Sequence, residues 1–260
     1  MKDVADRDLA YFADIPQRLV TSAGYVRPTP AFFYDFSEAD VLFATPLDRI
    51  REVLPSRRLF PLRLSPRSGV TMLQAFHYRD TDFGPFDEVM VGFPVSVDEN
   101  APVTNELRRF MARGGSVFIW QLPVTTDIAR EVGAEVAGFR RFTAQIDFHA
   151  EGGLVTCRVG EGSRHILTLR LRHRPPTRRE QRVRYPPVTV RGASLVRSGS
   201  IIRVREEAVA FDGRGVELEL GDHPLVDDLR RLRLGRVIKA SYAPANQAVL
   251  SSPLESWPLD

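Results

Sequence analysis

The two lysines of this sequence are the side chains that could do covalent chemistry on a carbonyl compound. Lysine and arginine together number 36, and only Lys2 and Lys239 are lysines. Lys239 lies in a strand-like segment, residues 237–242. A lysine that points inward among apolar groups has a lowered pKa and becomes a nucleophile able to form a Schiff base. A lysine that points outward from an edge strand has neither property, and the sequence leaves both orientations open.

Carboxylates offer acid–base chemistry as a second mechanism. Glu88 begins the predicted strand 88–95, and Glu135 lies near the end of the predicted helix 126–136. Two carboxyl groups in one apolar pocket titrate differently, so that one stays protonated while the other acts as a base. Glu88 and Glu135 are candidates for such a catalytic pair if the fold brings them into one pocket. The alternative is that Glu135 lies on the exposed face of its helix and that Glu88 only accepts backbone hydrogen bonds.

Side chains that could line a substrate pocket lie on predicted strands. Apolar surface with a few polar groups is typical of small-molecule sites, although each of these residue types is also common in plain cores. The candidates are Phe76, Tyr78, Phe93, Trp120 and Gln145. A protein that kept such a pocket without catalytic groups would be a binding or carrier protein, which is the alternative to an enzyme.

Motifs for cofactors, metals and nucleic acids are weak or missing in the sequence. No glycine-rich phosphate loop precedes a helix, and the five histidines are never paired at metal-ligand spacing on one predicted element. We therefore predict no cofactor and no metal. The arginine-rich segment 172–184 has no interleaved aromatic residues, which favours a solvated loop over a nucleic-acid site.

The composition indicates the class of protein. The 260 residues are 43% hydrophobic and 27% charged, the balance of a folded, soluble chain. No apolar run approaches the roughly 18 residues of a membrane helix, and the first residues are charged rather than apolar. The single cysteine, Cys157, cannot form an internal disulfide. These features predict a cytoplasmic protein without a membrane segment.

Strands dominate the predicted secondary structure. Leucines alternate with polar residues at 167–172, a pattern typical of a half-buried strand. Three helices are predicted, at residues 46–54, 126–136 and 222–234. The second helix has Thr126 as its cap, and the third has Asp222 as its cap and Gly235 as its stop. Many short strands with few helices favour a closed β structure with helices packed outside.

Three parts of the sequence carry recognisable motifs. They are Phe86-Asp87-Glu88 with Phe93-Pro94-Val95, the segment 122–141 that ends in Gly138-Phe139-Arg140-Arg141, and residues 223–230 with 242–250. Together they resemble the acetoacetate decarboxylase family, and the likeness extends over roughly residues 38–252. The resemblance implies a mainly β, α+β fold, a cone-like closed β-barrel with an internal pocket and flanking helices. It also implies a single domain over residues 1–260, a small-molecule substrate and a homo-oligomer.

The resemblance also carries an expected chemistry. In that family a lysine attacks a β-keto acid, and the Schiff base accepts the electrons that decarboxylation releases. By resemblance the family's lysine pair falls on Glu135 and Val136, and the lysine of its Gly-aromatic-Pro-Lys segment falls on Arg141, which we expect to bind substrate. Only Glu88 keeps the family's residue type in this pocket.

Neither glutamate nor arginine forms an imine with a keto acid. The sequence therefore predicts an enzyme of specialised metabolism, of the lyase, dehydratase or cyclase type, that uses acid–base chemistry on a carbonyl or β-keto compound. The alternatives are a non-catalytic binding protein with the same pocket and Schiff-base chemistry relocated to Lys239.

Overall fold

A computed structural model describes residues 7–98, 106–177 and 180–260. Lys2, together with Arg178 and Arg179 of the arginine-rich segment, lies outside these residues. The helices of the described chain are α1 (Leu47–Val53), α2 (Glu106–Arg113), α3 (Asp127–Ala137) and α4 (Pro224–Leu232). Its strands are β1 (Arg18–Ser22), β2 (Tyr25–Thr29), β3 (Ala31–Pro46), β4 (Leu59–Pro61), β5 (Arg63–Ser65), β6 (Ser68–Thr81), β7 (Phe86–Val97), β8 (Val117–Val124), β9 (Arg141–Thr143), β10 (Gln145–Glu151), β11 (Leu154–Glu161), β12 (Arg164–Arg172), β13 (Gln181–Val183), β14 (Pro187–Arg191), β15 (Ser194–Ala210), β16 (Val216–Leu220) and β17 (Val237–Pro258).

The longest strands pair into a closed ring. The pairing runs β7–β6–β3–β17–β15–β14–β8, and β8 pairs in turn with β7. Neighbours in the ring are antiparallel except β8 and β14, which are parallel. Closure satisfies the backbone hydrogen bonds that free edges would leave open. The mainly β, α+β fold with flanking helices that the sequence predicted is confirmed.

Side chains of the ring strands alternate between two faces, because the side-chain period of a strand is two. Phe36 on β3 and Met90 on β7 belong to a buried cluster inside the ring, whereas Ala39 and Phe93 belong to a second cluster outside it. Phe93 packs there against Trp120, with 5.8 Å between ring centroids. The structure therefore places Phe93 and Trp120 in core packing outside the ring rather than in an internal pocket.

A second sheet covers part of the outer face of the ring. Its strand order is β10–β11–β12–β16. Val155 of β11 and Leu169 of β12 share the outer cluster with Ala39 and with Leu229 of α4. The alternation of leucines at 167–172 thus results from one face of β12 packing on the ring and the other facing outward.

Helix α4 begins and ends differently from the sequence prediction. His223, not Asp222, caps it, because the Nδ1 atom of His223 accepts the backbone N–H of Leu225 at 3.2 Å. Pro224 occupies the first helical turn, which leaves Asp222 one residue too far from the helix to act as its cap. The helix ends at Arg233, whose φ of 53° is left-handed, before the chain reaches Gly235.

The arginine-rich segment connects β12 to β13. Its described residues between these strands have no regular structure and are mostly exposed, in agreement with a solvated loop. Among the described helices, none is both long and apolar enough to cross a membrane. Cytoplasmic location and homo-oligomeric assembly stay predictions.

Candidate active site

The interior of the ring contains a cavity of about 100 Å³. Its wall is mostly aromatic and aliphatic and includes Phe76 and Tyr78, as the sequence predicted. The polar side chains in this wall include Glu88, Arg141 and Gln74. An apolar enclosure with few polar groups is the usual environment of a small-molecule site.

Glu88 is held in this wall by two side chains. Arg141 donates from Nη2 to Oε2 of Glu88 at 2.7 Å, and the Tyr78 hydroxyl donates to Oε1 at 3.4 Å. The side chains of the ion pair are only 8% and 9% exposed. Burial raises the pKa of Glu88 above its ordinary value, although Arg141 and Tyr78 act in the opposite direction. Burial and the Glu88 carboxylate also raise the pKa of Tyr78, so its hydroxyl keeps its proton.

The segment that follows β8 delivers Arg141 to the cavity. Thr126 caps α3 as predicted, because its side chain accepts the N–H of Ala129 at 3.4 Å. The helix ends at Gly138, whose φ of 69° favours glycine, and the chain then turns into β9. β9 runs parallel to β8 with Arg141 opposite Leu122. Arg141 Nη1 donates to the carbonyl of Ala129 at 2.5 Å, so both the helix and the strand fix the guanidinium.

We expect Gly133→Ala to disturb the Glu88–Arg141 pair. A Cβ at Gly133 would lie 2.7 Å from Cζ and 3.0 Å from Cδ of Arg141, so the guanidinium would have to move. In an ordinary helix the same change stabilises by about 1 kcal/mol. Here we expect the free energy of unfolding to fall by about 1–3 kcal/mol, measured by urea denaturation.

The matched control is the same substitution in an Arg141→Ala background. Without the Arg141 side chain beyond Cβ the added methyl group has space, and Gly133→Ala should then be neutral or stabilising. Equal losses of stability in both backgrounds would show that Gly133 does not position Arg141.

A smaller cavity of about 30 Å³ adjoins the first and also contains Arg141 in its wall. Arg27 of β2 lines it and is only 6% exposed. Within the described residues, no hydrogen bond or ion pair satisfies Arg27, and the Nε atoms of both Arg27 and Arg141 are buried without acceptors. Burial lowers the pKa of Arg27. Two guanidinium groups with unused donors in one wall can bind an anionic group.

The structure does not bring Glu88 and Glu135 together. Glu135 lies on the exposed face of α3, whereas the next residue, Val136, lines the cavity beside Arg27. Successive helix residues point about 100° apart, so a shift of one position exchanges an exposed side chain for an enclosed one. Gln145 is exposed on β10 and lines neither cavity.

Lys239 lies inside the ring but outside the cavity that contains Glu88. Its Nζ is 3.1 Å from Oε1 of Glu207 and 3.6 Å from Oδ2 of Asp40. Burial by itself lowers the pKa of Lys239, but the two carboxylates outweigh it and the pKa is raised. A buried ammonium ion between two carboxylates is a poor nucleophile.

The sequence analysis missed Arg27, Gln74 and Glu38. Gln74 donates from Nε2 to Oε1 of Glu38 at 2.6 Å, and both side chains are buried. A usable signal was present for Glu38, since charged residues alternate with apolar ones at positions 38–41 of β3.

Comparison with known proteins agrees with the fold described above. A family model described as acetoacetate decarboxylase matches residues 18–251. No curated protein sequence matches this chain significantly.

Solved structures of low sequence identity share the fold. A structure of acetoacetate decarboxylase from Legionella pneumophila has 16% identity and a TM-score of 0.66, covering 86% of each chain. The enduracididine biosynthesis enzyme MppR, solved with pyruvate, has 13% identity and a TM-score of 0.56, covering 89% of this chain and 91% of that one. An acetoacetate decarboxylase-like enzyme from Sphingomonas wittichii has 11% identity and a TM-score of 0.53, covering 91% and 98%.

Proposed function

Because the chain belongs to the acetoacetate decarboxylase family, we propose that it is an enzyme that acts on a small keto acid by acid–base chemistry, without a Schiff-base lysine. The observation that carries this proposal is the Glu88–Arg141 ion pair in the wall of an apolar cavity, joined by the Tyr78 hydroxyl. Arginine stands where resemblance places a family lysine, so the pocket presents a cation that cannot form an imine.

The arginines account for the acid group of the substrate. A keto-acid carboxylate in the small cavity would accept hydrogen bonds from Arg27 and Arg141, whose Nε donors are unused. The rest of the molecule would extend into the cavity of Glu88, because Arg141 lines both. Charge-assisted hydrogen bonds of this kind are the strongest that a protein offers to a carboxylate.

Glu88 supplies the base in this proposal. It removes a proton from the carbon next to the keto group, the electron pair moves onto the carbonyl oxygen, and an enolate forms. The guanidinium of Arg141 can stabilise that oxygen, which carries the new negative charge. A carboxyl group with a raised pKa transfers protons more effectively near neutral pH than an ordinary one. Enolisation is the shared first step of lyase, dehydratase and cyclase reactions on keto compounds.

Lys239 does not support the Schiff-base alternative. Its ammonium group is ion-paired with Glu207 and Asp40 and lies outside the Glu88 cavity. The two arginines also favour a reaction in which the substrate keeps its carboxylate. Tight binding of that anion stabilises the ground state and does not help CO₂ to depart.

Proton exchange tests the proposal directly. We expect the purified protein to replace the methyl protons of pyruvate by deuterium in D₂O faster than buffer does, followed by proton NMR. Borohydride added to the same mixture should leave no keto acid attached to the protein. Saturable binding of pyruvate without exchange would identify a binding protein instead. Absence of binding and exchange, for pyruvate and for 2-oxobutyrate, would contradict the proposed substrate class.

A further inference from the structure

A second polar cavity lies inside the ring, beyond the one that contains Glu88. It measures about 150 Å³. Its wall contains three carboxyl groups, the ammonium group of Lys239 and several aliphatic side chains. Tyr185 lines both cavities, and the Gln74–Glu38 hydrogen bond of 2.6 Å joins their walls. Tyr185 and the Gln74–Glu38 pair thus lie between the second cavity and the candidate active site.

Negative charge exceeds positive charge in this second cavity. Three carboxyl groups, Glu38, Asp40 and Glu207, face one ammonium group, Lys239. Burial and the neighbouring Asp40 raise the pKa of Glu38 to about 8, so it is mostly protonated at neutral pH. Burial raises the pKa of Asp40 to about 6, and Asp40 is therefore ionised there. Lys239 is the one cationic side chain among the described residues that line this cavity.

One oxygen of the Asp40 carboxylate, Oδ1, has no hydrogen-bond donor among the described residues. Asp40 is 6% exposed, its Oδ1 is buried, and its Oδ2 is 3.6 Å from Nζ of Lys239. By contrast, Glu207 accepts a hydrogen bond from Lys239 at 3.1 Å, and Glu38 accepts one from Gln74. A buried carboxylate oxygen without a donor is costly, so Asp40 is the group in this cavity that a ligand would satisfy.

We infer that this second cavity is a binding site for a small organic cation, a primary ammonium group on a short apolar chain. The ammonium would donate to Asp40 and neutralise the excess negative charge. The apolar chain would pack on Val183, Val204 and Val209, which line the same cavity. The volume of about 150 Å³ accommodates a chain of a few carbon atoms, and the exposed side chains of Val209 and Phe211 in the wall place the opening at the protein surface.

Binding of propylammonium to the full chain tests this inference. At pH 7.5 we expect saturable binding, measured by saturation-transfer NMR and calorimetry, and much weaker binding of propan-1-ol, which has the same chain without the charge. Asp40→Asn should weaken propylammonium binding at least about tenfold, because it removes the negative charge that carries the unsatisfied Oδ1 and keeps the shape. The affinity of the unsubstituted protein for propylammonium should also fall about tenfold between pH 7.5 and pH 5, because Asp40 becomes protonated.

Glu206→Gln is the matched control. Glu206 is next to Glu207 on β15 but lines neither cavity, so removing its charge should leave propylammonium binding unchanged. If Asp40→Asn fails to fold, Glu207→Gln takes its place and should weaken binding likewise. Failure of propylammonium to bind, equal binding of propan-1-ol, or unchanged binding in the folded Asp40 or Glu207 variant would each overturn the inference.

Discussion

Glu88→Gln should slow deuterium exchange into pyruvate by about 10²- to 10⁴-fold, the usual contribution of a general base. Glutamine keeps the shape of the side chain, but its one amide oxygen replaces two carboxylate oxygens, so it can accept from Arg141 or from Tyr78 and not from both. It also cannot take up the substrate proton. The substitution also leaves the guanidinium of Arg141 buried without a counter-charge, which costs about 3 kcal/mol of stability. Circular dichroism at the assay temperature must therefore show that the variant is folded.

Glu135→Gln is the matched control for this prediction. Glu135 is exposed on α3 and acts on Arg27 only through the field of its charge, so removing that charge should change exchange and stability far less than Glu88→Gln does. An active Glu88→Gln variant would remove Glu88 from the mechanism. Loss of exchange in Glu135→Gln alone would identify Glu135 as the catalytic residue, as the sequence predicted, although it is exposed in the structure.

Arg141→Lys should introduce the Schiff-base chemistry that our proposal excludes for the natural sequence. The substitution puts an amine next to Glu88 in the apolar cavity, at the position where resemblance places a family lysine. With pyruvate and borohydride we expect a covalent adduct that adds the mass of the keto acid less one oxygen atom. Because Glu88 favours the protonated amine and burial favours the neutral one, trapping should increase with pH and begin at lower pH when Glu88→Gln is added.

Arg140→Lys provides the comparison, since Arg140 is the exposed neighbour of Arg141. Its amine should react only as an ordinary surface lysine, and peptide mapping separates the two positions. An adduct on the natural sequence that maps to Lys239 would contradict the assignment of that residue as an ion-paired ammonium. No adduct on folded Arg141→Lys would show that keto acids do not reach the Glu88 cavity.

A shared fold does not by itself transfer the family's reaction to this chain. The solved structures in the comparison are 11–16% identical to it, which supports the architecture alone. Function is decided by the groups in the cavity. Here those groups are a carboxyl, a phenol and a guanidinium, and we propose that their chemistry is proton transfer with anion binding rather than imine formation.

The sequence by itself determined the family, the strand-rich fold and several local features. Period-two alternation predicted β12, the Thr126 cap predicted the start of α3, and the motif at 86–88 singled out Glu88. Such signals are readable because they depend on neighbours within a few residues, through hydrogen bonds of the same turn or the same strand face.

Tertiary structure decided which faces are enclosed and which charges meet. Phe93 and Glu88 lie on one strand, but ring closure encloses only the face of Glu88. Glu135 and Val136 are adjacent, yet packing of α3 on the ring exposes one and encloses the other. The partners of Lys239 come from β3 and β15, far away in the chain. Periodicity tells which side chains share a face, while long-range strand pairing determines whether that face meets solvent, another sheet or a cavity.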